Sequence, residues 1–547
     1  MTEKKVLTKK QKLFILLGLI FIVGVFLRAY HFQAWLFFWS DQVRDANIAQ
    51  EVVEGKTAWP LLGPVMHHTA FKLGAMYHYF QISAMKIFGT EPYVAAYPDL
   101  FFSILSIPLL FVFLKIYFEN KIALILTSLY AVSYYSIYYS RFAWNTNSLP
   151  FFVLLYFVAL HRFLCEREKT SWLWVILLGI SIGVGMQLHA LLLVMAVAIT
   201  FFVFLFVLKK NWRTWKKWAV VLLIVLVLNS GQIFSEWGNG FSNLKALFET
   251  SSGRTDGGIK KQFENALANI DCHIQSNAQI ISSIGDEDRC HLAYSDFIKK
   301  ISTAGYAKKM IHDFGSRDFL DLARSLIFTL FSLSGYAWLI HSWRCEKELS
   351  RKYFLSLIIV YASLYFLLML PMGGASLPRY FLHVFFMPFL FLGFWLKFLD
   401  KKYPQKQLNL FFVFSLFALV NLFTIFQVAR DFSVGAGSKI RYPILGEMEQ
   451  MLDYMISQAD TKKELYVSGK SSYAFTFFTP LRYLSERRGF KLQEAENYDN
   501  IPNEKSVFYF RDSPKKNATA PKSARGFEIE NFKIFGDISV SKLKLKD

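Results

Sequence analysis

Two aspartates one helical turn apart, Asp41 and Asp45 in "FWSDQVRDANIAQEVVEG", follow a long hydrophobic run. A carboxylate within hydrogen-bond reach of a hydroxyl can take its proton, so the pair suits base-assisted group transfer. A plainer role is also open, because carboxylates are favoured at helix starts; Asp41 then caps a helix and Asp45 is solvated. Further on, "MHHTAFKLG" supplies His67, His68 and Lys72. Beside carboxylates these can bind a phosphate or a metal, although neither spacing nor ligand set matches a closed metal site.

Other polar residues interrupt apolar runs. "GVGMQLHALLL" sets Gln187 and His189 at the junction of two such runs, and "GGASLPRYFLHVFFMP" sets Arg379 at the mouth of another with His383 one turn deeper. Ionisable groups at such depth are costly and face a cavity or a partner, which makes them site candidates. Arg379 can equally snorkel, and His383 can be a satisfied core histidine. Arg141 and Asn145 in "SRFAWNTNSLP" read equally as phosphate or sugar ligands and as part of a helix cap at Asn147 ahead of Pro150.

The elements that must position these residues are membrane spans. The 547-residue chain is 54% hydrophobic and carries 57 Phe, and its apolar runs are long enough to cross a hydrocarbon layer of about 30 Å. Spans can be drawn at 13–30, 98–118, 122–139, 148–164, 172–187, 189–208, 218–234, 319–341, 353–370, 380–398 and 408–428, about eleven in all. The formal charge of +20 sits in short segments between these runs, all on one side when the spans alternate, so it orients the protein and does not argue for nucleic acid. The basic start "MTEKKVLTKKQK" leads into a long run with no small-x-small cleavage site, which predicts a retained first span with a cytoplasmic amino terminus.

Alternation puts 31–97, 235–318 and 429–547 outside. "SDQVRDANIAQEVVEG" then reads as an amphipathic helix on the membrane surface, capped at Ser40 or Asp41 and stopped by Gly55. Cys272 and Cys290 fall in the second outside segment and are a disulfide candidate in an oxidising compartment, or two unpaired thiols. The expected fold class is a polytopic α-helical membrane protein, domain 1–428, with a small extracytoplasmic α/β domain, 429–547. In that tail "YPILGEMEQMLDYMISQ" has helical periodicity, "KELYVSG" and "SVFYFRDSP" read as short strands, and "FEIENFKIFGDISVSKLKL" as a strand pair.

In their order, "SDxxxDxxxAxxVxEG", "PLLGP", "LGxxYxYFxxxxxxIFG", "SRFAWNTNSLPFF", "GMQLHALLL" and "PRYFL" resemble the multispanning glycosyltransferases of the GT-C class. The resemblance is to the bacterial group related to protein O-mannosyltransferases and the lipid A aminoarabinose transferase. It implies a GT-C fold in the bacterial inner membrane and inverting transfer of a sugar from a polyprenyl-phosphate donor to an extracytoplasmic acceptor. It also implies an acidic base at the start of the first outside segment, which Asp41 matches. Family members often follow that acid with Glu, whereas this chain has Gln42, so no metal ligand is assigned; no cofactor is certain and a divalent metal stays open. Arg379, then Lys72, suit the leaving phosphate, with Asp45, His68, Gln187 and His189 lining the sugar or acceptor pocket. Competing functions are a transporter or flippase for a lipid-linked precursor, which calls for polar groups at mid-membrane depth, and a polyprenyl-linked glycan ligase or polymerase.

Overall fold

The computed structural model describes residues 8–65, 70–252, 258–285, 290, 316–369, 377–403, 407–433, 444–459, 463–469, 472–494, 506–512, 527–535 and 538–545. The chain opens with α1 (Lys9–Ala29), whose first turn is closed by a reciprocal cap between Thr8 and Gln11. Then come α2 (Ser40–Val53), a two-stranded hairpin of β1 (Leu62–Val65) and β2 (Lys72–Gly74), and α3 (Met76–Phe88). The bundle continues through α4 (Tyr97–Leu114), α5 (Asn120–Val132), α6 (Tyr134–Tyr138), α7 (Leu149–Glu166), α8 (Trp172–Leu188), α9 (Ala190–Lys210), α10 (Trp215–Leu228) and α11 (Ser230–Gly238). After α12 (Ser242–Ser252) and α13 (Gly258–Ser282), it ends with α14 (Ser316–Cys345), α15 (Leu349–Met369), a 3-10 turn at Pro378–Val384, α16 (Met387–Lys402) and α17 (Gln407–Ser433).

Among the described residues seven helices are long and apolar enough to cross a membrane, or nine if each of two bent pairs is one span. The pairs are α10 with α11, and the 3-10 turn with α16, each bent by 61°. The other two of the eleven expected runs form the shorter apolar helices α5 and α8. The run 122–139 is divided because Ser133 adopts an extended backbone and caps the short α6. Likewise α8 stops at Leu188 because His189 is extended, with its Nδ1 accepting the Leu191 N–H at 3.1 Å to start α9.

Packing follows from residue size. Gly179 and Gly183, one turn apart on α8, let α10 approach so closely that a Cβ on either would stand 2.9 Å from Ile224 or Leu228. Elsewhere aromatics fill the core: Phe113 meets Phe157, Phe354 and Phe386 edge to face at 5.0–5.8 Å. Arg28, wholly buried in α1, donates to Ser103 Oγ at 2.9 Å and to the Ala131 carbonyl at 2.8 Å, so α1, α4 and α5 are joined without a carboxylate.

Part of the segment drawn as the outside loop 235–318 is α13, which packs against α14, α16 and α17. Three of its buried polar side chains are bonded within the bundle: Asn269 to the Met369 carbonyl at 2.8 Å, His273 to Tyr336 at 2.7 Å, and Asn277 to Ser332 at 3.2 Å. Cys272, midway along it, stands paired with Cys290 as a disulfide.

The tail holds α18 (Leu445–Ser457), β3 (Glu464–Gly469), α19 (Ser472–Arg487), β4 (Lys491–Glu494), β5 (Ser506–Asp512), β6 (Phe527–Phe535) and β7 (Ile538–Leu545). Its sheet runs β4-β3-β5-β7-β6, parallel around β3 and antiparallel from β5 to β6. The helical and strand patterns read in the sequence fall on α18, β3, β5, β6 and β7. α19 escaped that reading because Pro480 and a run of aromatics obscure its helical period.

Candidate active site

The amphipathic helix expected after the first span is α2, but its apolar face meets protein. Val43, Ala46, Ala49 and Val52 are buried in one core with Leu481 and Leu484 of α19 and Met448 and Leu452 of α18. At its start the two aspartates part company. The Asp41 side chain is 50% exposed, whereas Asp45 is fully buried. Arg44 bridges them, with Nη1 donating to Asp41 Oδ1 at 3.0 Å and Nε to Asp45 Oδ1 at 2.8 Å. Asp45 Oδ2 is buried with no hydrogen-bond partner. Burial therefore holds the Asp45 carboxyl above the ordinary aspartate value, against the opposing pull of His78 and Arg44. His78, buried beside it, is held below the usual histidine value by the same desolvation.

Gln42 carries the helix to its neighbour. Its amide donates to the Ala143 carbonyl at 2.9 Å, and its own carbonyl accepts the Trp39 N–H at 3.2 Å. A glutamate there would set a carboxylate against a carbonyl oxygen, which explains in physical terms why this chain has an amide where the resembling family often has an acid.

The segment between α6 and α7 is the centre of the site. The Trp144 N–H donates to Asp99 Oδ2 at 3.0 Å, the Tyr77 hydroxyl to the same oxygen at 2.7 Å, and Ser148 to Oδ1 at 2.6 Å, so this buried carboxylate anchors the segment. Over the Trp144 ring lies the Arg379 guanidinium, 4.8 Å from the centroid, with Nε buried and unpartnered. One residue along, Asn145 donates to the Leu188 carbonyl at 2.5 Å, next to His189. The His189 ring meets the His383 ring edge on at 4.4 Å, and both ring nitrogens of His383 are buried without partners. Asn145, His189, Arg379 and His383 are thus linked through one short segment, to which Gln42 ties the start of α2.

Three expected ligands have different surroundings. Arg141 donates Nη1 to the Arg28 carbonyl at 2.9 Å and Nη2 to the His31 carbonyl at 3.0 Å, holding the end of α1. Gln187 donates to the Gly183 and Leu228 carbonyls, both at 2.9 Å, and accepts the Met76 N–H at 3.2 Å, so it fastens α3 to α8 and α10. Lys72 has its backbone held on both sides by Asn243, and its side chain is exposed on β2. His68 lies outside the described residues. Among the described residues no group of three or more His, Cys, Asp or Glu side chains is gathered that would hold a metal ion.

Sequence reasoning passed over Arg44, Asp99 and Trp144. Arg44 had a signal in its spacing, i+3 from Asp41 and next to Asp45. Trp144 had none, since its partner is distant in the chain.

Residues 72–233 match the family described as dolichyl-phosphate-mannose-protein mannosyltransferase. The sequence has no match among curated proteins. Among solved structures, ArnT from Cupriavidus metallidurans bound to undecaprenyl phosphate is 11% identical, aligns over 98% of each chain and has a TM-score of 0.51. The archaeal oligosaccharyltransferase AglB from Archaeoglobus fulgidus, in complex with an inhibitory peptide and a dolichol-phosphate, is 14% identical over 92% of this chain and 69% of its own, with a TM-score of 0.47. The chain has the GT-C fold, and its segment 72–233, which includes the Asp99 and Trp144 centre of the site, carries the sequence pattern of the protein mannosyltransferase family.

Proposed function

We propose that the protein is an inverting glycosyltransferase that moves a sugar from a polyprenyl-phosphate carrier to an acceptor outside the cytoplasm, at the outer face of a bacterial inner membrane. The observation that carries this reading is that Gln42, next to the half-exposed Asp41, bonds the Ala143 carbonyl, while Arg379 stacks on the neighbouring Trp144. The family match over 72–233 supports the same reaction class.

Asp41 is the base in this mechanism. The acceptor hydroxyl attacks the anomeric carbon, the bond from that carbon to the phosphate oxygen breaks, and the hydroxyl proton passes to the Asp41 carboxylate. The phosphate leaves with the bonding electron pair, and its growing charge is met by Arg379. Because the Arg379 ring partner holds the guanidinium in place, no reorganisation is needed as that charge develops. Arg44 holds the Asp41 carboxylate in an ion pair at the start of α2. His189 and His383 are proposed to face the sugar or the acceptor, while Asn145, Gln187 and Arg141 hold the backbone around them. Lys72 and His68 remain proposed phosphate contacts on the neighbouring hairpin.

Mass spectrometry of polyprenyl-phosphate sugars and envelope glycans tests this in cells with wild-type protein, none, Asp41→Asn or Arg379→Ala at matched expression. The expected result is one accumulated lipid-linked sugar and one missing glycan modification in all three deficient strains. A wild-type glycan profile in Asp41→Asn would overturn the base assignment. Accumulation on the cytoplasmic leaflet alone in the null strain would favour a flippase.

A further inference from the structure

We infer that the tail domain positions the catalytic helix: it clamps α2 from both ends and so fixes where the Asp41 carboxylate stands. This rests on the reading of Asp41 as the base. Ahead of the helix, the Leu445 N–H donates to the Leu36 carbonyl at 2.8 Å and the Gly446 N–H to the Ala34 carbonyl at 2.9 Å, with Phe37 bridged to Ile444. The stretch leading into α2 is therefore held by the start of α18. About 13 Å further along the helix from Asp41, Gln50 forms the second hold. Its Oε1 accepts both the Tyr483 hydroxyl and Arg487 Nη1 at 2.8 Å, and Arg487 Nη2 reaches Glu91 at 3.1 Å.

Between these holds the apolar face of α2 shares its core with α18 and α19. The first hold depends on glycine. A Cβ at Gly446 would stand 2.8 Å from the Ala34 carbonyl oxygen and 3.2 Å from the Ala34 Cα, both backbone atoms, so a larger residue must push the stretch ahead of α2 away. General-base transfer is sensitive to such a push, since a displacement of about 1 Å at the reacting groups costs on the order of 10²-fold in rate. Among the described residues the tail's contacts with α2 do not involve Arg379 or Trp144, so phosphate binding is separable from base placement.

The test uses full-length protein in nanodiscs and in cells. Gly446→Ala, Gln50→Leu and Gln50→Glu are compared with wild type and Asp41→Asn in hydrogen exchange over residues 34–53, undecaprenyl phosphate binding, and glycan product per folded molecule. Gly446→Ala and Gln50→Leu are expected to speed exchange in α2 and lower product by about tenfold or more, with undecaprenyl phosphate binding unchanged. Gln50→Glu keeps an acceptor for Tyr483 and Arg487 and is expected to restore slow exchange and product. Unchanged exchange with wild-type product in both disruptive variants overturns the clamp, as does a loss of product that only follows lost protein or lost undecaprenyl phosphate binding. If Asp41→Asn makes wild-type product, the base assignment fails, while the exchange of α2 still decides whether the tail holds the helix.

Discussion

Arg141 and Arg379 stand on neighbouring segments, and each guanidinium lies over aromatic rings: Phe32 and Trp35 for the first, Trp144 and Tyr380 for the second. They differ in where their hydrogens go. Arg141 spends two donors on the last carbonyls around the end of α1, whereas Arg379 keeps a buried Nε with no acceptor. A cation bonded to helix-end carbonyls is a fastening, favoured by the negative end of the dipole. A cation stacked on rings with a donor left unpaired has a polar edge for an incoming anion. Stacking orients both, and the fate of the donors separates structure from chemistry.

Substitution can break this contrast. Arg379→Ala is expected to lower transfer by about 10²–10³-fold per folded molecule, the usual cost of removing one preorganised donor to developing charge. Arg379→Lys should recover only part of it, since an ammonium cannot hold a phosphate in two places. Arg141→Ala should do the reverse. Losing two charge-assisted bonds to buried carbonyls costs about 3 kcal/mol, read as a lowered thermal midpoint in detergent, with turnover per folded molecule kept. If Arg141→Ala instead spares stability and removes turnover, the two arginines have been assigned the wrong way round.

Much of this was legible in the sequence for a physical reason: spans, their ends and the tail strands are written in local period and composition. The run from Trp172 to Lys210 divides at His189, as its polar interruption predicts. Asp41 was legible because a carboxylate after an apolar run is unusual. The role of Arg141 was not, because "SRFAW" and "PRYFL" offer the same cue of a cation beside rings, and only tertiary contact tells carbonyl from open edge. Trp144 and the burial of Asp45 were hidden for the same cause. Trp144 depends on Asp99 and Arg379, far from it in the chain, and the burial of Asp45 on what α2 packs against, part of which lies some 400 residues later in the tail.

A smaller effect sharpens the comparison at Gln42. Replacing it by glutamate removes the donor to the Ala143 carbonyl and faces like charge toward Asp41 and Asp45. The expected loss is about 1–2 kcal/mol of stability, with a transfer defect of a few fold because the Trp144 segment loosens from α2. Gln42→Asn, which keeps an amide but is too short to reach, separates the two causes by thermal midpoint. Equal losses in both assign the effect to the missing bond, and a loss confined to Gln42→Glu assigns it to charge.

The smallest effect is one of slope. Burial holds the Asp45 carboxyl above its value in the unfolded chain, so the native state binds the extra proton between the two. Its contribution to stability is full below the unfolded value, near pH 4, and is lost as pH rises through the folded value. His78, shifted the other way, acts with the opposite sign, so the useful quantity is the difference between wild type and Asp45→Asn at each pH. Thermal midpoints should differ least in acid, where Asp45 is already neutral, and the variant should gain on wild type as pH rises. Turnover should stay within a few fold, because Arg44 still has Asp41 to hold it. Parallel midpoint curves would mean that Arg44 keeps Asp45 ionised throughout, and the buried Oδ2 would then mark a polar partner supplied by the bound substrate.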